Sequence, residues 1–246
     1  MNKLTLNASK TEYMINGSTQ TQNPFEIRIN GMPLEKSDSV KYLGVMIDSK
    51  LTWRQHVLHL EKKLSTACAL ISKLRYYVDQ KCLLQYYYAH VYSHLQYAIL
   101  AWGSTNKTTL NKLNVLHRRV VRLLTLHGPL QNFFKYNEEE IHGNIKNIEL
   151  FKSTEILTIE DIYNLELAKF MHKASTNSLP DCLNEIFTRS PYPRRVFVLP
   201  AIRSNNGERS LRYAKLWESI PSDLKSDKSI KTFAKHYKNY LLDGYT

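Results

Sequence analysis

The spacing of apolar and polar residues changes character near Trp53. Before it, Met1 to Ile15 reads as a short, turn-bearing entry into a strand. Phe25 to Ile29 alternates apolar and polar positions, Asn30-Gly31 supplies a turn, and Val40 to Ile47 is a further strand. Gly44 interrupts that strand, where a missing side chain permits a bulge or a close backbone approach. From Trp53 onward, Val57, Leu60, Leu64, Ala67, Cys68, Ile71 and Leu74 fall on one helical face. A second helix is expected from about Gln80 to Trp102, dense in leucine and tyrosine, and a third from about Thr108 to Thr125. His127-Gly128-Pro129 ends the third helix, because proline cannot continue the hydrogen-bond ladder. Asn132 to Glu155 reads as a short helix with loops or as the linker into a second packing unit, and Thr158 to Thr176 as a helix. Pro180, Pro191 and Pro193 redirect the chain after it. Val196 to Pro200 reads as an edge strand, Asn205-Asn206-Gly207 as a turn, and Ser210 to Ser219 and Ile230 to Leu242 as closing helices. The expected class is α+β: mostly helical, with a small N-terminal β region.

Charge sharpens this picture. The formal net charge is +12 and the sequence pI is near 9.5, which favours polyanionic partners. Through Leu130 there are 17 Lys plus Arg against 7 Asp plus Glu, and after it 17 against 15, so the first half carries most of the positive field. Within it, the third helix sets Leu113, Leu116, Val120, Leu123 and Leu124 near one side. Lys112, Arg118, Arg119 and Arg122 gather opposite, sharing that side with Val115. These four cations are the candidate phosphate-contacting face; a solvated basic surface is the alternative. Arg194-Arg195 and Arg203 to Arg212 form a second basic stretch, also readable as the solvated shell of a small C-terminal core. In the Tyr86-Tyr87-Tyr88 triplet the three rings cannot point one way, so one or two bury and an exposed ring is available to stack on a base.

Other chemistry does not assemble. Cys68, Cys82 and Cys182 are odd in number and widely spaced, as reduced thiols are, with Cys68 and Cys82 expected in the core. His56 and His59 lack the cysteine or carboxylate partners of a zinc site, and His90, His94, His117 and His127 read as surface or packed histidines. No phosphate-loop motif or nucleophile elbow occurs. With no apolar run of membrane-spanning length and no apolar signal core in Met1 to Lys10, the expectation is an intracellular chain, cytoplasmic or nuclear, without a membrane partner.

Several ordered segments carry a family likeness. Asn7-Ala8-Ser9-Lys10-Thr11-Glu12, Val40-Lys41-Tyr42-Leu43-Gly44-Val45-Met46-Ile47-Asp48 and Leu51-Thr52-Trp53 before His56 come first. Leu74-Arg75, Tyr97 to Gly103, Arg118 to Arg122, Leu199-Pro200, Arg203, Gly207, Arg209 to Tyr213, Trp217 and Ile220-Pro221 follow. In order and spacing these resemble the region just downstream of the catalytic centre in reverse transcriptases of non-LTR retrotransposons, particularly the jockey-like group. The resemblance implies a truncated polymerase. Residues 1–52 would be a partial palm with a primer-grip-like β region, 53–130 a helical thumb-like domain, and 131–246 a mainly helical C-terminal region. It puts Lys10 beside the family's catalytic carboxylates, and Tyr42, Leu43 and Gly44 at the primer-grip neighbourhood, with Leu43 expected in the core. The implied partners are RNA or an RNA–DNA or DNA duplex, and the upstream palm and fingers. Magnesium or manganese would serve the intact parent enzyme, RNA-directed DNA polymerase being its activity.

For this chain the expectation is no catalytic residue, no metal site, no cofactor and no independent activity. It contains no Asp-Asp pair, and Asp38 and Asp48 stand ten positions apart. Asp48 is expected to cap local structure. A passive structural or protein-interaction remnant, its amphipathic helices exposing apolar faces, is the alternative function.

Overall fold

Two tight turns with left-handed backbone organise the N-terminal β region. The computed structural model describes residues 7, 10–16, 26–125, 147–184, 215–227 and 229–245. β1 (Glu12–Tyr13) pairs in parallel with β4 (Glu35–Lys36), and β2 (Arg28–Ile29) pairs antiparallel with β3 (Met32–Pro33) across Asn30-Gly31. β5 (Ser39–Tyr42) and β6 (Val45–Asp48) form an antiparallel hairpin in which Tyr42 faces Val45. The single strand expected over Val40 to Ile47, with its interruption at Gly44, is therefore folded back on itself. Leu43 and Gly44 have φ of 46° and 82°, the two positive values a two-residue hairpin turn of matching twist requires. Gly44 makes a reverse turn rather than a bulge.

The helical part begins with α1 (Arg54–Leu74), whose boundaries follow the apolar repeat. Asp48 secures its entry: Oδ1 accepts from the Thr52 N–H at 2.9 Å and Oδ2 from the Trp53 N–H at 2.7 Å. Asp48, the last residue of β6, thus ties the turn that precedes the helix, while the α1 N-cap itself is Trp53, without a side-chain cap hydrogen bond.

The long helix expected from Gln80 to Trp102 is instead α2 (Gln80–Tyr87), a π-helical turn (Tyr88–Tyr92), α3 (Ser93–Gln96) and α4 (Ile99–Trp102). Periodicity explains the π turn. Leu83, Tyr87, Val91, Leu95 and Ile99 are all buried, a strict repeat of four. In a straight α-helix such a row drifts by about 40° per step, and a wider turn absorbs the drift and keeps the row facing the core. The break before α4 comes where Tyr97 is extended and Ala98 left-handed, and the buried Trp102 indole N–H takes up the freed Tyr97 carbonyl at 2.9 Å.

α5 (Lys107–Thr125) matches the third expected helix. The Thr105 hydroxyl at its foot donates to the Thr52 carbonyl before α1 (2.9 Å), and Arg119 lies within electrostatic reach of Cys68 midway along α1. α1 and α5 therefore run side by side in the same direction. α6 (Asn147–Ser153) and α7 (Ile159–Ser175, capped by Thr158) follow, then α8 (Asp181–Asn184), helical residues 215–219, α9 (Ser222–Lys225) and α10 (Ile230–Asp243). α10 packs on α7 through stacked Phe233 and His172 rings and a Tyr245 hydroxyl that donates to Asp161. One contiguous cluster of buried side chains runs from Val57 in α1 to Tyr245 after α10.

The fold is thus mostly helical behind a small N-terminal β region, as the sequence pattern implies. Among the described residues, no helix is long and apolar enough to cross a membrane. The strand at Val196 to Pro200, the turns at Asn205-Gly207 and His127-Pro129, and the Arg194-Arg195 and Arg203–Arg212 stretches lie outside the described residues.

Candidate nucleic-acid interface

The apolar side of α5 decides where its charges point. Leu113, His117, Val120, Val121 and Leu124 are buried. At about 100° per residue they centre on one direction, and Val115 projects opposite, flanked by Arg118, Arg122, Lys107, Arg119 and Lys112. Lys112 and Arg119 are exposed, and Arg118 and Arg122 half-exposed. The expected cation set is therefore brought together on one arc. The buried face differs in detail: Leu116 and Leu123 are only partly buried, while His117 and Val121 carry the centre.

His117 was reachable from the wheel as a core position but not as a polar tether. Its Nε2 lies 2.9 Å from the Tyr87 hydroxyl, and the two rings stack with centroids 5.9 Å apart. Burial lowers the His117 pKa to about 3 and pushes the Tyr87 phenol well above its ordinary value, so both are neutral and the pair is an uncharged cross-link between α2 and α5. Among the described residues, no carboxylate forms an ion pair with Lys107, Lys112, Arg118, Arg119 or Arg122. The helix supplies none itself: between Asp79 and Glu138 the sequence has no acidic residue. That acid-free run was the strongest available sequence sign of the interface.

The hairpin tip presents a second feature. Tyr42 is 63% and Leu43 72% exposed, so Leu43 is not in the core. A left-handed turn residue at the end of a two-stranded ribbon has nothing to pack beneath it. Its carbonyl is held: the Tyr97 hydroxyl donates to Leu43 O at 2.5 Å, and a Cβ on Gly44 would meet the same ring at 3.7 Å. Beside the tip, partial burial and then Lys63, Lys41 and Lys62 hold the His59 pKa below its ordinary value. Partial burial followed by Lys63, His90 and His59 does the same for His94. These six side chains from β5, α1 and the π turn through α3 make a second basic surface that no sequence spacing joins. Lys10 belongs to neither group; it sits exposed in the single turn before β1, its N–H donating to the Asn7 carbonyl at 3.1 Å.

Remaining expectations resolve individually. Tyr87 is buried, Tyr86 half-buried and Tyr88 exposed, so the triplet splits as its spacing requires. Cys68 is buried, but Cys82 is exposed because it occupies the first turn of α2, where its N–H donates to the capping Asp79 carboxylate at 2.7 Å. His56 is buried against Trp102, with Nδ1 taking the Met46 N–H at 3.4 Å and a pKa lowered to about 4, chiefly by burial.

The described carboxylates do not fit a two-metal centre. Both Asp48 oxygens are committed to backbone N–H groups, and no three ligating side chains converge among the described residues.

Comparison with known proteins gives a consistent direction. The chain is 32% identical over 104 residues to the RNA-directed DNA polymerase from mobile element jockey of Drosophila funebris, covering 40% of this chain and 11% of that protein. It is 22% identical over 198 residues to the probable RNA-directed DNA polymerase from transposon X-element of Drosophila melanogaster, covering 78% of this chain and 20% of the relative. Against the probable polymerase from transposon BS of the same species, identity is 27% over 106 residues. These matches establish distant, partial homology to mobile-element reverse transcriptases, and the chain spans between 11% and 20% of the relatives' lengths. No family model matches. No solved structure matches.

Proposed function

We propose that this chain is a nucleic-acid-gripping segment of a jockey-like, non-LTR reverse transcriptase, lacking the carboxylates that carry the polymerase chemistry. The observation that carries the reading is the α5 arc: five cations on one face of a helix whose other face is locked in the core, none of them ion-paired to a carboxylate among the described residues. A strand of phosphates laid along it meets charge over about 22 Å, from the rise per residue between Lys107 and Arg122. In this reading residues 53–130 act as the thumb-like unit, the hairpin tip at Tyr42, Leu43 and Gly44 as the primer-grip-like element, and Lys10 as a phosphate-side cation. The homology to RNA-directed DNA polymerases supports template–primer as the ligand.

The test is binding of the full chain to labelled RNA and to RNA–DNA duplex across a salt series. Reversing Lys112, Arg118, Arg119 and Arg122 to glutamate is expected to weaken binding regardless of sequence. The log-affinity against log-salt slope should become shallower by about 0.7 to 0.9 for each real contact removed. Circular dichroism must show the quadruple variant folded. A folded variant with unchanged affinity and slope removes the arc from the interface. The chain alone is expected not to extend a primer with magnesium or manganese. Robust extension abolished by Asp48→Ala would overturn that part.

A further inference from the structure

A groove of about 680 Å³ opens beside the foot of α5, between α5, α7 and helical residues 215–219. Its apolar lining comes from Leu110, Leu167 and Leu216. Its polar lining is unusually rich in side-chain amides: Asn111 and Asn114 from α5 and Asn164 from α7. Lys107, Lys215 and Glu160, all exposed, add two ammonium groups and a carboxylate. Among the described residues, neither Asn111 nor Asn114 has a side-chain hydrogen bond, so each presents an acceptor oxygen and an NH₂ donor. Asn164 spends an NH₂ hydrogen on Asp161 at 3.3 Å and keeps its oxygen.

Position supplies the ligand class. Lys107 belongs both to the groove and to the α5 arc of cations, and the uncharged Asn111 follows it one turn along the helix in the groove wall. The row Lys107, Asn111, Asn114, Arg118, Arg122 advances by three or four residues per step along one side of the helix. A phosphate backbone following the arginines toward the start of α5 therefore arrives at the groove mouth. What it meets there changes from cations alone to amides over an apolar floor. Amides pair with the donor–acceptor edge of a base, leucines pack on its face, and the two lysines can hold the flanking phosphates. A base already paired in a duplex has that edge occupied and cannot leave its stack without cost.

We infer that the groove takes an unpaired base of a single-stranded nucleic acid whose backbone lies along the α5 arc, with Asn111 and Asn114 contacting the base edge. This rests on the proposed binding role of that arc. It makes the arc and the groove separable: the arginines supply salt-sensitive affinity for any strand, and the groove supplies preference for unpaired strands.

The experiment uses the full chain and three labelled probes: a single-stranded RNA, the same strand carrying abasic positions, and the corresponding RNA duplex. Asn111→Ala/Asn114→Ala should weaken single-strand binding about tenfold, the scale of one good base-edge contact, and leave duplex binding unchanged. The abasic strand should bind the unaltered chain with a similar deficit and lose nothing further on substitution. Both asparagines face solvent-accessible space, so the variant is expected to fold, and far-ultraviolet circular dichroism checks it. The inference is overturned if the folded double variant binds the single strand as tightly as the unaltered chain, or if abasic and base-bearing strands bind equally. In either case, duplex binding that still depends on Arg118, Arg119 and Arg122 leaves the arc in place. Binding to none of the three probes removes arc and groove together.

Discussion

Tyr87→Phe deletes one hydroxyl from the middle of the helical core and strands its partner. His117 is 1% exposed, neutral, and reaches the Tyr87 oxygen at 2.9 Å; its ring also packs at a tilt against Phe151, with centroids 5.2 Å apart. No water can replace the lost partner without opening the contact between α2 and α5. The cost is that of a buried polar atom left unsatisfied, about 1–3 kcal/mol. For a chain of this size each kcal/mol lowers the melting temperature by roughly 2–4 °C, so Tyr87→Phe should melt about 2–12 °C lower. Replacing both groups, Tyr87→Phe with His117→Leu, removes the donor and the acceptor together. The double variant should therefore be less destabilised than the sum of the singles, with a coupling on the order of 1 kcal/mol. Urea unfolding followed at 222 nm measures all three. A Tyr87→Phe variant within about 0.5 kcal/mol of the unaltered chain, or strictly additive singles, would refute the cross-link. The point matters beyond stability, because this pair helps fix the rotation of α5 and hence the direction its arginines face.

How much of this was legible beforehand depends on what each residue's neighbours in sequence could reveal. α1, α5 and α10 were legible to within a residue or two because each buries mainly one stripe of a regular 3.6 repeat; α7, buried on nearly every side, was legible from its apolar length, and Asp79, Thr158 and Ser229 stand at the N-terminal caps of α2, α7 and α10. The Gln80–Trp102 stretch misled for a related reason. Its four-residue repeat is nearly helical, and the π turn that reconciles it with a flat core is set by the packing partners, not by propensity. Leu43 misled because an apolar residue in an apolar run reads as core unless the turn at its own position is recognised, and Leu-Gly is not among the common hairpin signals. The α5 arc was legible from one helix alone. The groove was not: Asn111 and Asn114 meet Asn164 and Lys215 only through tertiary packing, across separations of 50 to over 100 positions that no local period encodes.

Three further predictions follow from the same geometry. Asp48→Ala should cost about 1.5–3 kcal/mol by removing two charge-assisted hydrogen bonds to the Thr52 and Trp53 N–H groups in the turn before α1; unaltered urea stability would contradict that tie. Gly103→Ala should cost about 1–3 kcal/mol, because the new Cβ would sit 2.7 Å from both the Ile99 carbonyl oxygen and the Tyr163 ring, and a backbone oxygen cannot swing aside; an unchanged melting temperature would refute it. Acidification from pH 7 to pH 5 should destabilise the fold through two buried histidines. His117 and His56 have folded pKa values lowered to about 3 and about 4, against 6.5 when unfolded. Between those values the unfolded chain binds more protons than the folded one, so stability is fully present above the unfolded pKa and falls as pH drops toward the folded one. At pH 5 the unfolded histidines lie about 1.5 units below their midpoint, which is about 2 kcal/mol for each. Urea midpoints at intervals across this window should fall steadily, and in Tyr87→Phe/His117→Leu the fall should be about half as large. A pH-independent midpoint in the unaltered chain, or an undiminished slope in the double variant, would show that His117 is not the neutral core group its burial requires.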